Sequence, residues 1–159
     1  MGRTSLSRVK LALGAVVLLL IGLVLWANMR DVKAAVVGET KTLDEDQYWY
    51  KEFALLAPAA LRIKAALLQG PAVDLYLVDK RSYDGLQAVM AGTLPIKELE
   101  FDYFDRLSRA GLAGEFDSGW QEMHAGIYYV IVDHSVFGAT VPPEVGVGVR
   151  FRVEVETKR

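Results

Sequence analysis

The sequence predicts a mainly β protein: an antiparallel β-sandwich, jelly-roll-like, of about seven or eight strands, preceded by one N-terminal transmembrane helix. Three observations predict it. An apolar run lies near the N-terminus; short stretches of aromatic and β-branched residues recur from Gln47 onward between turn residues; and the last stretch, Val145 to Glu156, alternates strictly.

The apolar run reads VKLALGAVVLLLIGLVLWA from Val9 to Ala27, with Lys10 its only charge and 17 uncharged residues after it. At about 1.5 Å per residue, and with flanks that snorkel, it nearly matches a hydrocarbon core of about 30 Å. Such a helix is apolar on every face and has no side to present to water, which favours a membrane span over a buried core helix. Residues 9–28 are therefore read as a signal-anchor helix that places this part of the chain in the lipid bilayer. Arg3, Arg8 and Lys10 precede the run without an acidic residue, whereas Arg30 and Lys33 after it are accompanied by Asp31 and Glu39. Positive residues stay inside, so residues 1–8 are expected in the cytoplasm and everything beyond about residue 28 outside it. Trp26 sits where an interfacial aromatic anchor belongs. The run exceeds the about 7 to 15 residues of a cleaved leader and lacks a small-x-small end, so retention is favoured. The competing outcome is a secreted domain, cut after Ala34 with Val32 and Ala34 at the permissive positions.

From Asp31 onward the chain carries 14 Lys and Arg against 20 Asp and Glu. That balance disfavours nucleic acid as a partner and gives no adhesion to anionic lipid by charge alone. There is no Cys, so an exported domain must rest on its hydrophobic core. The single Asn, Asn28, is followed by Met-Arg and makes no glycosylation sequon, in keeping with a prokaryotic cell envelope.

Residues 29–46 are poor in large apolar side chains and contain the acidic cluster Asp44, Glu45 and Asp46, which reads as a solvated stalk. The domain itself is placed at residues 47–157. Its first strand is QYWYKEFAL, Gln47 to Leu55; its second is Ala59 to Leu68, with Leu61, Ile63, Ala65 and Leu67 facing one way and Arg62, Lys64 and Ala66 the other. Gln69-Gly70-Pro71 then predicts a tight hairpin turn into AVDLYLVD, Ala72 to Asp79. The run KRSYDG marks a loop, and Tyr83 to Met90 a short helix or wide turn ending at Ala91-Gly92. Ile96 to Tyr103 alternates as a half-exposed strand, and Leu107 to Phe116 suits an irregular strand or loop. GIYYVIVDHS from Gly126 is a strand of dense β propensity. After Pro142-Pro143 comes the long alternating strand, with valines and Phe151 inward and charges outward. No repeat or low-complexity tract appears.

The pairing of VDLYLVD with GIYYVIVDHS, followed by a valine-alternating last strand, resembles a group of exported β-sandwiches, the bacterial pre-peptidase C-terminal domains and the GOLD domains of emp24-like proteins. The resemblance covers about residues 46 to 156. It implies that Asp74, Tyr76, Gly126, Tyr128 and Asp133 serve the sandwich, that no catalytic role carries over, and that the chain has an accessory or recognition role. Emp24-like proteins place their membrane helix after the domain, and this chain places its apolar run before it.

No catalytic, cofactor or metal residues are assigned. His124 and His134 fall in no ligand spacing, and adjacent Asp133, His134 and Ser135 alternate faces on a strand, so they cannot line up as base, orienter and nucleophile. Asp74, Asp79, Asp84 and Asp133 suit caps and turns better than a calcium loop, since no Dx[DN]x[DN]G pattern is present. The consecutive Tyr48, Trp49 and Tyr50 are the candidate partner-binding aromatics: one face of the strand is buried, so either Trp49 or the Tyr48 and Tyr50 pair projects from the other. The tandem Tyr128 and Tyr129 poses the same alternative. The expected function is thus a membrane-anchored, extracytoplasmic binding or assembly module, non-enzymatic, meeting an envelope protein or glycan. A calcium- or small-ligand-binding sensor and a carboxylate-based hydrolase are the alternatives.

Overall fold

The computed structural model describes residues 33–135 and 146–158. The transmembrane segment expected over residues 9–28, with Trp26, lies outside the described residues. Among the described residues no helix is long and apolar enough to cross a membrane.

Nine strands among the described residues form two antiparallel sheets, so the mainly β sandwich is what the chain builds. In chain order they are β1 (Lys33–Leu43), β2 (Gln47–Leu55), β3 (Ala59–Gln69), β4 (Val73–Asp79), β5 (Arg109–Leu112), β6 (Glu115–Asp117), β7 (Gln121–Met123), β8 (Gly126–His134) and β9 (Val149–Lys158). The first sheet runs β1-β9-β3-β6, with β7 pairing the start of β3; the second runs β2-β8-β4-β5. The helix α1 (Lys80–Met90) lies over the outer face of the second sheet, where Tyr83 and Leu86 meet Tyr76, Tyr129 and Ile131.

The period-2 pattern of β9 puts Val149, Phe151, Val153 and Val155 between the sheets, each essentially without solvent contact. They face Leu61, Ile63 and Ala65 of β3 and, across the sandwich, Leu75, Leu77, Val130 and Val132. This is the core. The outward positions of β3 and β9 carry charge instead: Arg62 reaches Asp117 with two hydrogen bonds, and Lys64 Nζ lies 2.8 Å from Glu156 Oε1.

Several expectations are corrected. The turn at Gln69-Gly70-Pro71 joins no hairpin, because β3 belongs to the first sheet and β4 to the second. The reason lies in burial: all of Val73 to Val78 is buried, which requires a strand with neighbours on both edges and cover on both faces. Only the second sheet, with α1 on its outside, offers that. Residues 29–46, read as a stalk, supply β1 from Lys33, paired with β9 through ten register positions from Lys33↔Lys158 to Leu43↔Val149. The domain therefore starts well before residue 47. The run KRSYDG is the first part of α1 rather than a loop, since the Asp79 carboxylate accepts from the Ser82 amide at 2.9 Å and caps the helix. Ile96 to Tyr103 is no strand. It opens with a 3-10 turn at Ile96–Glu98 after Pro95, and joins the sheet only where Tyr103 bridges Val78.

One side of the sandwich, between the edge strands β1 and β2, is closed by charge. Glu39 and Lys41 occupy the inward-facing register of β1, as Val37 and Leu43 do, and Lys51 that of β2, between Trp49 and Phe53. Glu39 lies 3.0 Å from Lys51 and 3.1 Å from Lys41. The Lys51 ammonium, then that of Lys41, holds the Glu39 carboxyl below its usual range.

Candidate functional site

Strand alternation decides the fate of the three candidate aromatics. Trp49 turns inward and packs on Phe151 with ring centroids 5.6 Å apart, while Tyr48 and Tyr50 stand on the outer face of the second sheet, 6.2 Å apart. The sheet register sets them in rows. Tyr48 lies opposite Asp133, which lies opposite Asp74; Tyr50 opposite Ile131, opposite Tyr76; and Glu52 opposite Tyr129, opposite Val78.

The second row and third row carry an aromatic cluster that α1 completes. Tyr83 stacks on Tyr129 with centroids 3.8 Å apart and planes 3° from parallel, one ring directly over the other. Ring quadrupoles disfavour that arrangement, so its partners must hold it. The Tyr129 hydroxyl donates to Glu52 Oε2 at 2.6 Å, and Gln87 Nε2 of α1 donates to the Tyr48 hydroxyl at 3.1 Å. Tyr50 lies 4.9 Å from Tyr83 yet remains 45% exposed, the rim of the cluster on which a partner could close. Farther along the same face Phe101 meets Tyr76 edge-on at 5.4 Å, and Tyr103 is exposed beside them.

Burial and hydrogen bonding act on the protons of this face. The Glu52 carboxylate, with burial second, pushes the Tyr129 hydroxyl up to about 12. Burial and then the Tyr50 contact raise Tyr83; on the inward face of β8, where Tyr128 packs on Phe53 in the core, burial and then the Asp79 charge raise Tyr128. A tyrosine whose folded pKa exceeds its unfolded value keeps its proton while the unfolded chain ionises. The associated stability is therefore whole below the ordinary value of 10.0 and is lost as pH climbs through that of the folded state. Of the seven tyrosines, Tyr83, Tyr128 and Tyr129 are expected to ionise only as the domain unfolds. An ultraviolet titration in which all seven ionise together near pH 10, with circular dichroism unchanged, would refute this.

At the end of the face beyond Tyr48, Asp74 and Asp133 are cross-strand neighbours. Asp74 is buried and accepts from the Gly111 amide at 2.6 Å; Asp133 accepts from the Ser135 amide at 2.9 Å. Burial raises the Asp133 carboxyl above its usual range, and the charges of Asp74 and Asp46 add to it. The other two aspartates go elsewhere, Asp79 to the helix cap and Asp84 to Lys80 at 2.7 Å. No group of three or more His, Asp or Glu placed to hold a metal ion is found among the described residues.

His134 faces the interior, buried, with Nε2 2.9 Å from the Val147 carbonyl, while Asp133 faces out, so Asp133, His134 and Ser135 do not converge. His124 sits in the turn between β7 and β8, where its carbonyl accepts from the Tyr128 hydroxyl. Tyr76, Tyr128, Asp74 and Asp133, positions quoted for the resemblance to exported sandwiches, all lie on the central strands β4 and β8. Sequence reasoning missed Tyr83, Gln87 and Glu52. The Asp79-x-x-Ser82 capping spacing was the signal that puts Tyr83 on a helix aimed at Tyr129.

Compared with known proteins, the chain matches no family model and shows no significant similarity to a curated protein.

Proposed function

We propose that the chain is a membrane-anchored, extracytoplasmic binding or assembly module of the cell envelope, and that it grips an envelope protein through the tyrosine face around Tyr48 and Tyr50. The observation that carries this reading is Tyr50 itself, a large aromatic left 45% exposed while its neighbours are locked by stacking and hydrogen bonds. Rigid amphipathic rings give contact area at little entropic cost, and such residues dominate binding energy at interfaces.

Support for the anchor is the apolar run at residues 9–28 and the excess of positive charge before it. Retention is further favoured because cleavage after Ala34 would remove Lys33 and Ala34, which pair with Lys158 and Thr157 of β9. The strand orders 1-9-3-6 and 2-8-4-5, with successive strands β1 to β4 changing sheet each time, support reading the wrap as a jelly roll.

The test is crosslinking in membranes with the full chain. Tyr50→Ala is expected to lower the yield of the crosslinked species about tenfold or more, the effect of losing an interfacial hot spot. Leu68→Ala, at an exposed position of the other sheet, should leave it unchanged. Equal yields from Tyr50→Ala and the parent chain would dismiss the tyrosine face, and recovery of glycan alone would reassign the partner.

A further inference from the structure

Among the described residues, the most exposed large apolar side chain is not in the tyrosine face. Leu56, 86% exposed, heads the loop Leu56-Ala57-Pro58 between β2 and β3, and all three residues are uncovered. The register shows which end of the sandwich this is. Leu55 lies opposite Gly126, Ala60 opposite Lys158, and Lys158 opposite Lys33, so the loop shares one end with the start of β1 and the finish of β9. Half-buried Trp120 stands beside Pro58 and Lys158 at a shallow cleft there.

Only residues 28–32 separate the apolar run from Lys33. Six peptide steps reach at most about 20 Å, and headgroups occupy part of that distance. The chain thus brings this end of the sandwich, and not the opposite one about 30 Å away along the strands, down to the lipid.

We propose that the Leu56-Ala57-Pro58 tip docks in the headgroup layer of the membrane that anchors the chain, with Trp120 and Lys158 at its rim. This rests on the anchor reading given above. An apolar tip with an aromatic and a lysine beside it suits the boundary between headgroups and acyl chains, where apolar groups are buried and amphipathic ones keep their polar ends in water. The tether supplies a high local concentration, so an insertion too weak to hold a free domain suffices here. Docking would fix the orientation of the sandwich and hold Tyr48 and Tyr50, which lie toward the far end of β2, clear of the bilayer.

The absence of Cys makes single-site labelling direct. The full chain, with a fluorophore at Ala57→Cys or at the exposed far-end control Leu68→Cys, is reconstituted in vesicles of phosphatidylcholine with a minority of phosphatidylglycerol. Both contain lipid bearing a nitroxide near the headgroup. Quenching at position 57 is expected to exceed that at 68 by about threefold or more, and Leu56→Asp to bring it down to the control level, as follows from losing a buried leucine. Because Leu56 is exposed, that variant keeps the fold. Equal quenching at both positions in a chain that resists alkaline carbonate extraction overturns the docking and leaves the anchor standing. A position 57 shielded from water but not quenched by lipid also overturns it, with a second protein as the cover. Release of the chain by carbonate removes the anchor reading, and the docking with it.

Discussion

Phe151→Ala is expected to destabilise the domain by about 3–5 kcal/mol, the range for deleting a fully enclosed aromatic. Phe151 has no solvent contact, stands in β9 between Lys41 of β1 and Leu67 of β3, and carries Trp49 of the opposite sheet against its ring. Strands on both edges hold the backbone of β9 in place, so the walls of the cavity cannot collapse far. Urea unfolding of the detergent-solubilised full chain, followed by tryptophan fluorescence, measures the loss directly. The result should also show greater exposure of Trp49, as a red-shifted emission in the folded baseline. A loss below about 1 kcal/mol, the size of an average substitution, would mean that this ring does not sit at the centre of the packing.

Gly70→Ala is expected to cost about 2–5 kcal/mol, adding about 1–2 for a left-handed backbone to about 1–3 for overpacking. Gly70 has φ of +98°, and a Cβ there would lie 2.6 Å from the Gly148 carbonyl oxygen. That oxygen is backbone and cannot rotate aside. A Cβ at Gly148 would in turn lie 3.0 Å from the Leu43 carbonyl oxygen, so the backbones at Leu43, Gly148 and Gly70 approach closely through the two glycines. Relief at Gly70 would have to shift the start of β9, since Val149 Cγ1 would lie 2.9 Å from a Cβ at that position. Gly92→Ala is the comparison, since it shares a positive φ of +70° but has open space around it. It isolates the backbone part, and equal losses for the two variants would remove the steric argument.

The strands β3 and β9 were legible in the sequence because their inward positions are apolar without interruption, so alternation shows through, whereas β2, β4 and β8 were legible from dense runs of aromatic and β-branched residues between turn residues. β1 was not, and the reason is local. Glu39 and Lys41 stand at inward positions, which breaks the pattern that Val37 and Leu43 would otherwise have completed. The short strands β5, β6 and β7 hold only three or four residues each, too few to show a period. The topology around β4 was hidden because its burial on both faces depends on α1, a helix whose capping aspartate is also the last residue of the strand. At the candidate site, alternation alone separated Trp49 from Tyr48 and Tyr50. Tyr83 and Tyr129, which pin Tyr50, reach it from a helix and a neighbouring strand far along the chain, and no local pattern announces such a contact.

Strand β2 has two opposite characters, and the ion pairs at Glu39 bear on how the protein behaves in company. An unpaired strand edge is where copies of a β protein would zip together. A neighbour's strand laid along β2 or β1 would extend the interior layer over Lys51, Glu39 and Lys41 and have to bury them without water. Edge-to-edge association of copies is therefore disfavoured at this side of the sandwich, while Tyr50, on the other side of β2, stays exposed.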